Sequence, residues 1–215
     1  LMSTSDVGAA LREQGYAYLT TRLEAPALRH FILDLGTQLG RVVPTRGTAL
    51  VDELRPRTRE QAHRKSLSAL TGIDEQPWHM DGAHLKVPYR YILLASPAHD
   101  AGKTRTAICS TKAWAKGNTD DLGALVFGYD TGRSVFLDTI KGTAPYLRFD
   151  PGCMRPSTEQ AKALLNSLAY KAVSDQKEFE WYAGTILVID NWKTLHRRRA
   201  ISGFAERLLY RVSVM

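Results

Sequence analysis

The sequence predicts a mainly β protein with flanking helices, its core a double-stranded β-helix of the jelly-roll, cupin-like type. Three observations lead there. Short stretches rich in branched and aromatic residues recur between turn residues, as in Tyr91–Ala95 and Thr185–Ile189. Two or three amphipathic helix patterns stand apart from them, the clearest over residues 24–39. The Gly-x-Gly-x-x-Gly and Walker patterns, internal repeats and Gly/Ser-rich linkers are all absent. Short strands with few helices outside fit a double-sheet barrel.

Taken in order, residues 5–14 read as a short helix, with Ser5 or Asp6 as cap, Val7, Ala10 and Leu11 on one side, and Gly15 as stop. Residues 16–19 form a short strand. In the helix over 24–39, Pro26 sits in the first turn, Leu28, Phe31, Ile32, Leu35 and Leu39 make an apolar stripe, and Gly40 ends it. That stripe is expected to cover one side of a sheet. Residues 42–54 are short strands and turns. Residues 55–76 are polar, then loop-like, and are expected to be mobile beside the mouth of a site. A strand over 89–95 is turned by Ser96-Pro97 and Asp100-Ala101-Gly102 into another over 104–110, with Thr104, Thr106 and Ile108 on one face. Residues 114–127 are read as helical around Gly117 and Gly123, 134–140 as a strand, and 157–173 as a helix with Leu164, Leu165 and Leu168 inward. A buried strand over 185–189 leads into a loop carrying His196. Residues 207–214 form the last strand.

A length of 215 residues fits one domain, residues 1–215, with a substantial core. No apolar run approaches membrane-spanning length, and the first residues lack a basic region followed by an apolar one. Cys109 and Cys153 have no close partner in sequence and read as reduced thiols of a cytoplasmic protein. The net charge of +7 could point to an anionic partner. Its denser spots are two. Arg55, Arg57 and Arg59, continuing to Arg64 and Lys65, are interleaved with Asp52, Glu53 and Glu60 and read as a solvated face. Arg197-Arg198-Arg199 reads either as a solvated face or as a positive field around an anionic substrate.

The centre of the chain is Gln76-Pro77-Trp78-His79-Met80-Asp81-Gly82. In an extended segment, residues two apart point to the same side, so His79 and Asp81 converge. His196 arrives in Asp190-Asn191-Trp192-Lys193-Thr194-Leu195-His196. Two histidines and one carboxylate with positions left open form the facial triad suited to non-haem Fe(II). His84 is a rival ligand; His30, His63 and His99 read as structural or surface residues. Trp78 and Trp192 flank the ligands, either as packing or as pocket walls, and Gln76 and Glu75 lie within reach of a substrate. On the last strand, Arg207, Leu209, Arg211 and Ser213 share one face, while Leu208, Tyr210, Val212 and Val214 share a core face. Two guanidiniums on one face can bind a carboxylate, with Thr104 supplying a hydroxyl to the same group.

This pattern resembles the Fe(II)/2-oxoglutarate-dependent oxygenases of the taurine dioxygenase and clavaminate synthase-like group. Pro77-Trp78-His79-Met80-Asp81 looks like their first ligand segment, Ala101-Gly102-Lys103-Thr104 like their threonine element, and residues 184–191 like the strand and Asp-Asn turn leading to their distal histidine. Gly15-Tyr16-Ala17-Tyr18 and Leu39-Gly40-Arg41-Val42 are similar to the start of these proteins. The histidine is followed here by three arginines instead of Gly-Arg, and residues 110–180 leave little room for a lid.

The resemblance implies Fe(II) held by His79, Asp81 and His196, 2-oxoglutarate gripped by Thr104 and Arg207, and O2 as co-substrate. Arg211, Trp78 and Gln76 would touch substrate, or Arg211 would support the 2-oxoglutarate site. The implied function is hydroxylation, desaturation or cyclisation of a small acidic or amino-acid-like metabolite, with 2-oxoglutarate converted to succinate and CO2. Natural-product biosynthesis is one setting in which such relatives work. A carboxylate at position 81 argues against halogenation. The alternatives are a non-catalytic metal- or small-molecule-binding jelly roll, and a nucleic-acid-modifying oxygenase. No aromatic-plus-basic nucleic-acid motif is present. The expected partner is a small molecule, with no membrane and no nucleic acid.

Overall fold

The computed structural model describes residues 4–45, 47–64, 66–99, 104–201 and 207–215. The expected turn at Asp100-Ala101-Gly102, Lys103 of the threonine element, and Lys65 lie outside them.

Helix α1 (Thr4–Glu13) leads into strand β1 (Tyr16–Thr20), and α2 (Ala25–Leu39) follows with Glu24 as its N-cap and Pro26 in its first turn. Pro is tolerated there because the first N–H groups of a helix have no intrahelical partner. Next come β2 (Val42–Val43), β3 (Asp52–Leu54), the one-turn α3 (Leu67–Thr71), β4 (Tyr91–Ala95) and β5 (Thr106–Ser110). The expected helix over 114–127 is instead α4 (Thr111–Ala115), α5 (Thr119–Ala124) and the start of strand β6 (Val126–Asp130). Gly117 breaks the first helix, with φ +88, and Phe127 is drawn into the sheet. The chain continues through β7 (Val135–Thr139), β8 (Met154–Pro156), α6 (Glu159–Ala169), β9 (Lys177–Phe179), β10 (Thr185–Asp190), β11 (Thr194–Arg198) and β12 (Leu209–Val214). Thr158 caps α6 by accepting the N–H of Ala161 at 3.1 Å.

Two antiparallel sheets face each other. The larger has the order β1-β10-β4-β12-β2, with β3 also on β12; the smaller is β11-β5-β9. The jelly-roll expectation holds. Alternation divides the central strands between two cores. Leu93, Ala95, Ile186, Val188, Tyr210, Val212 and Val214 pack outward with α1 and α2. Ile92, Leu94, Leu187, Ile189 and Leu209 point inward, towards Ile108 and Trp181. Both faces of these strands are buried, so β10 reads as a continuous apolar run. Helix α2 lies close against β12: a Cβ at Gly36 would come within 2.9 Å of Val212. The third sheet, β7-β6-β8, packs with α6 in its own core around Trp114, Phe127, Tyr129 and Phe149. The segment from α4 to α6 therefore forms a layer beside the barrel.

Candidate metal centre

The sequence placed His196 in a loop; the structure places it on β11. His79 and His196 form an antiparallel bridge in which each main chain donates to the other at 3.0 Å. Directly opposed residues in such a pair carry their side chains on the same face. The two rings lie 4.4 Å apart, and both are buried. Asp81, two residues past His79, turns its Oδ1 to within 3.7 Å of His79 Nε2 and 3.6 Å of His196 Nε2. These are the three residues, among those described, whose ligand atoms converge within 4.8 Å; His84 is not among them.

The protonation states suit a metal. His79 Nδ1 is 2.9 Å from the carbonyl of Pro77. A carbonyl only accepts, so Nδ1 carries the proton and Nε2 presents its lone pair to the centre. Burial, with His196 beside it, lowers the His79 pKa to about 3, so the ring is neutral. Burial would raise the Asp81 pKa, but Arg211 and the two histidines outweigh it and hold the carboxyl well below its usual range. Two imidazoles and one carboxylate, facing inward from a buried wall, fit a divalent transition metal.

Thr104 and Arg207 are both buried, each two residues before the strand it leads into, β5 and β12. Arg211 is engaged within the protein. Its Nη1 donates to Asp81 Oδ2 at 3.0 Å, and its Nη2 to Asp52 Oδ2 at 3.0 Å and to Thr45 at 3.0 Å. The pairing of Arg211 with Asp52 across β12 and β3 puts that carboxylate within reach.

Of its two readings, Trp78 takes the packing one. It is fully buried on the far side of its segment from His79, donates to the Lys171 carbonyl at 2.9 Å, and lies under the Arg197 guanidinium at 4.1 Å. Period-two alternation sends residue 78 outward when 79 points in. Gln76 is partly exposed, and its main-chain N–H donates to the Arg198 carbonyl at 2.9 Å. Trp192 packs beside Tyr146 at 5.1 Å and donates to the Pro88 carbonyl.

The triple arginine fits neither of its two readings. Arg197 is buried, on Trp78 and against Glu75 at 3.2 Å. Arg198 donates to the carbonyls of Gly72 and Ile73, which ties the end of the 55–76 segment to β11. Arg199 pairs with Glu75 and Glu178.

Sequence reading missed Asp150. Phe149 accepts the N–H of Met80, between the two nearby ligands, at 2.8 Å. Asp150 thus comes close enough for the Asp81 charge to act on it. Burial, with the Asp81 charge adding to it, pushes its pKa up to about 7. Nothing in its local sequence, Phe149-Asp150-Pro151-Gly152, distinguishes it from a turn aspartate.

Fold and site together define a jelly roll with a buried two-histidine, one-carboxylate cluster. Residues 118–213 match the family model of taurine catabolism dioxygenases, TauD/TfdA. No curated protein matches the chain in sequence. Solved structures share the fold. An asparagine oxygenase in complex with Fe(II), 2S,3S-3-hydroxyasparagine and succinate is 18% identical, with a TM-score of 0.75 over 99% of this chain and 78% of that one. PvcB, an Fe, alpha-ketoglutarate dependent oxygenase from an isonitrile synthetic pathway, is 20% identical, with a TM-score of 0.70 over 99% and 80%. A taurine dioxygenase from Burkholderia xenovorans is 16% identical, with a TM-score of 0.72 over 98% and 80%. The chain thus resembles the taurine dioxygenase-like group of Fe(II)/2-oxoglutarate oxygenases.

Proposed function

We propose that residues 1–215 form one oxygenase domain, using Fe(II), 2-oxoglutarate and O2 to hydroxylate, desaturate or cyclise a small amino-acid-like metabolite. The observation that carries this reading is the convergence of His79 Nε2, Asp81 Oδ1 and His196 Nε2 on one buried point. When bound, Fe(II) and 2-oxoglutarate supply the oxidation, coupling conversion of 2-oxoglutarate to succinate and CO2 to attack on the substrate. The chain's own residues bind and orient. His79, held through Nδ1 by Pro77, and His196, held across the bridge, offer imidazole nitrogens; Asp81 offers the anion. Thr104 and Arg207 would hold the far carboxylate of 2-oxoglutarate by a charge-assisted contact.

The substrate end favours an amine. Arg211 is engaged by two carboxylates, and Arg197, Arg198 and Arg199 by other partners. Asp150, whose Oδ1 accepts the Gly152 N–H at 2.8 Å, feels the Asp81 charge and is raised by burial, so a cation would favour its ionised form. A substrate ammonium would provide one. Gln76 is the weaker candidate contact. The amino-acid product in the asparagine oxygenase complex supports the same class, and the isonitrile pathway of PvcB is a precedent for natural-product biosynthesis. No described helix is long and apolar enough to cross a membrane. The buried free thiols of Cys109 and Cys153 support a cytoplasmic setting.

The test is anaerobic addition of Fe(II) and 2-oxoglutarate, following the visible charge-transfer band of the chelate. The band should appear in the wild type, vanish in His79→Ala, and need more 2-oxoglutarate in Arg207→Ala. Succinate release with a panel of free amino acids then finds the substrate. No band at saturating iron and 2-oxoglutarate would return the chain to the binding-protein reading.

A further inference from the structure

We infer that Arg211 is a positioning residue for the metal's carboxylate, completing with Asn191 a two-point clamp on Asp81, and is not a substrate anchor. The inference rests on the reading of His79, Asp81 and His196 as metal ligands.

The clamp acts on different parts of one residue. On the main chain, the Asn191 side chain spans Asp81: its Oδ1 accepts the Asp81 N–H at 2.9 Å, and its Nδ2 donates to the Asp81 carbonyl at 2.9 Å. The same Nδ2 donates to the Tyr89 carbonyl at 2.8 Å, so the amide is itself fixed at both ends. Asn191 is buried and sits at the end of β10, 110 residues from Asp81 in sequence. With its backbone held, Asp81 keeps only its side-chain rotations. Arg211 removes those: its Nη1 holds Oδ2 at 3.0 Å, while Oδ1 is the oxygen turned to both histidines. One oxygen is assigned to the guanidinium and the other to the metal, so the carboxylate is set for one-oxygen ligation.

The guanidinium is equally fixed. Its Nε and Nη2 donate to Asp52 Oδ2 at 3.3 and 3.0 Å, and Nη2 also reaches Thr45. Thr45 in turn contacts Asp52. All three nitrogens of Arg211 are engaged, and its side chain is 14% exposed. A substrate carboxylate would have to displace Asp81 or Asp52 to reach it. The cluster carries two carboxylates and one guanidinium, a net negative charge directed at the triad, which favours a cation there. Outer partners that orient a ligand carboxylate typically change metal affinity about 10–100-fold when removed.

The experiment is titration of metal-free protein with Co(II) alone, read by the visible d–d absorption and by the dissociation constant, with no substrate present. Wild type, Arg211→Met and Arg211→Lys are compared. Arg211→Met should weaken Co(II) binding roughly 10–100-fold and alter the band pattern. Arg211→Lys, which keeps the charge but not the fork, should fall between the two. A substrate anchor would leave both readouts untouched, so wild-type affinity and spectrum in both variants would overturn the inference. Should Arg211→Met fail to fold, the lysine variant decides alone: a weakened, altered spectrum supports the clamp, and an unchanged one refutes it. Failure of the wild type to bind Co(II) would count against the triad reading instead.

Discussion

The main chains of His79 and His196, 117 positions apart, exchange both of their hydrogen bonds at 3.0 Å, so the two imidazoles stand side by side on one wall. The pair is set by strand registry. The cost is a buried ring that resists protonation.

That cost gives a pH signature. Burial depresses the His79 pKa to about 3 in the folded protein, below the value of about 6.5 in the unfolded chain. The unfolded chain therefore binds the extra proton across that window. The His79 contribution to the stability of the metal-free protein should be flat above about pH 6.5 and fall by a few kcal/mol as pH drops towards 3. Urea unfolding of the wild type and of His79→Leu at a series of pH values checks this, because the difference between the two profiles isolates the His79 term.

Asp150 has the opposite sign. Its folded pKa of about 7 lies above the unfolded carboxylate value of about 3.9, so ionisation destabilises the metal-free fold as pH rises through this window. Asp150→Asn should raise stability by on the order of 2–4 kcal/mol at pH 8 and by almost nothing at pH 4. Thermal melts at the two pH values separate these outcomes, and an equal gain at both would count against it. Under the amine reading, the same variant should raise KM for an amino-acid substrate.

Arg148 secures the loop that follows Asp81. It donates to the carbonyls of Ala83, Leu85 and Lys86 at 2.6–3.0 Å and to Asp138, and lies over the rings of Tyr129, Phe136 and Tyr146. Arg148→Met would leave those carbonyls unpaired beside a carboxylate without its cation. A loss of about 3–5 kcal/mol is expected in urea denaturation.

Gly184 opens β10 with φ +79, and a Cβ there would sit 2.3 Å from the Thr21 carbonyl oxygen. Gly184→Ala should cost at least the roughly 1–3 kcal/mol of a strained backbone residue, with the β1–β10 edge separating first. Amide exchange should show faster opening at residues 16–20 than in the wild type.

Local periodicity made much of this protein legible in its sequence. The stripe from Leu28 to Leu35 specified α2, and the two-residue spacing of His79 and Asp81 put both on one face. It failed where a residue's role depends on a distant partner. Leu195-His196-Arg197 reads as a loop until β5 and the His79 segment supply edges for it to pair with. Arg197 to Arg199 read as surface charge until Trp78, Glu75, Glu178 and the carbonyls of Gly72 and Ile73 meet them.

The sequence by itself determined which donors are available, on which strand face they lie, and in what order they come. Only the tertiary structure decided what each donor touches. It turned Arg211 to Asp81, 130 residues away, laid Asn191 along the Asp81 backbone, and brought Asp150 beside the centre. The physical reason is that periodicity within a strand fixes direction, whereas the pairing of buried charges is settled by which strands become neighbours.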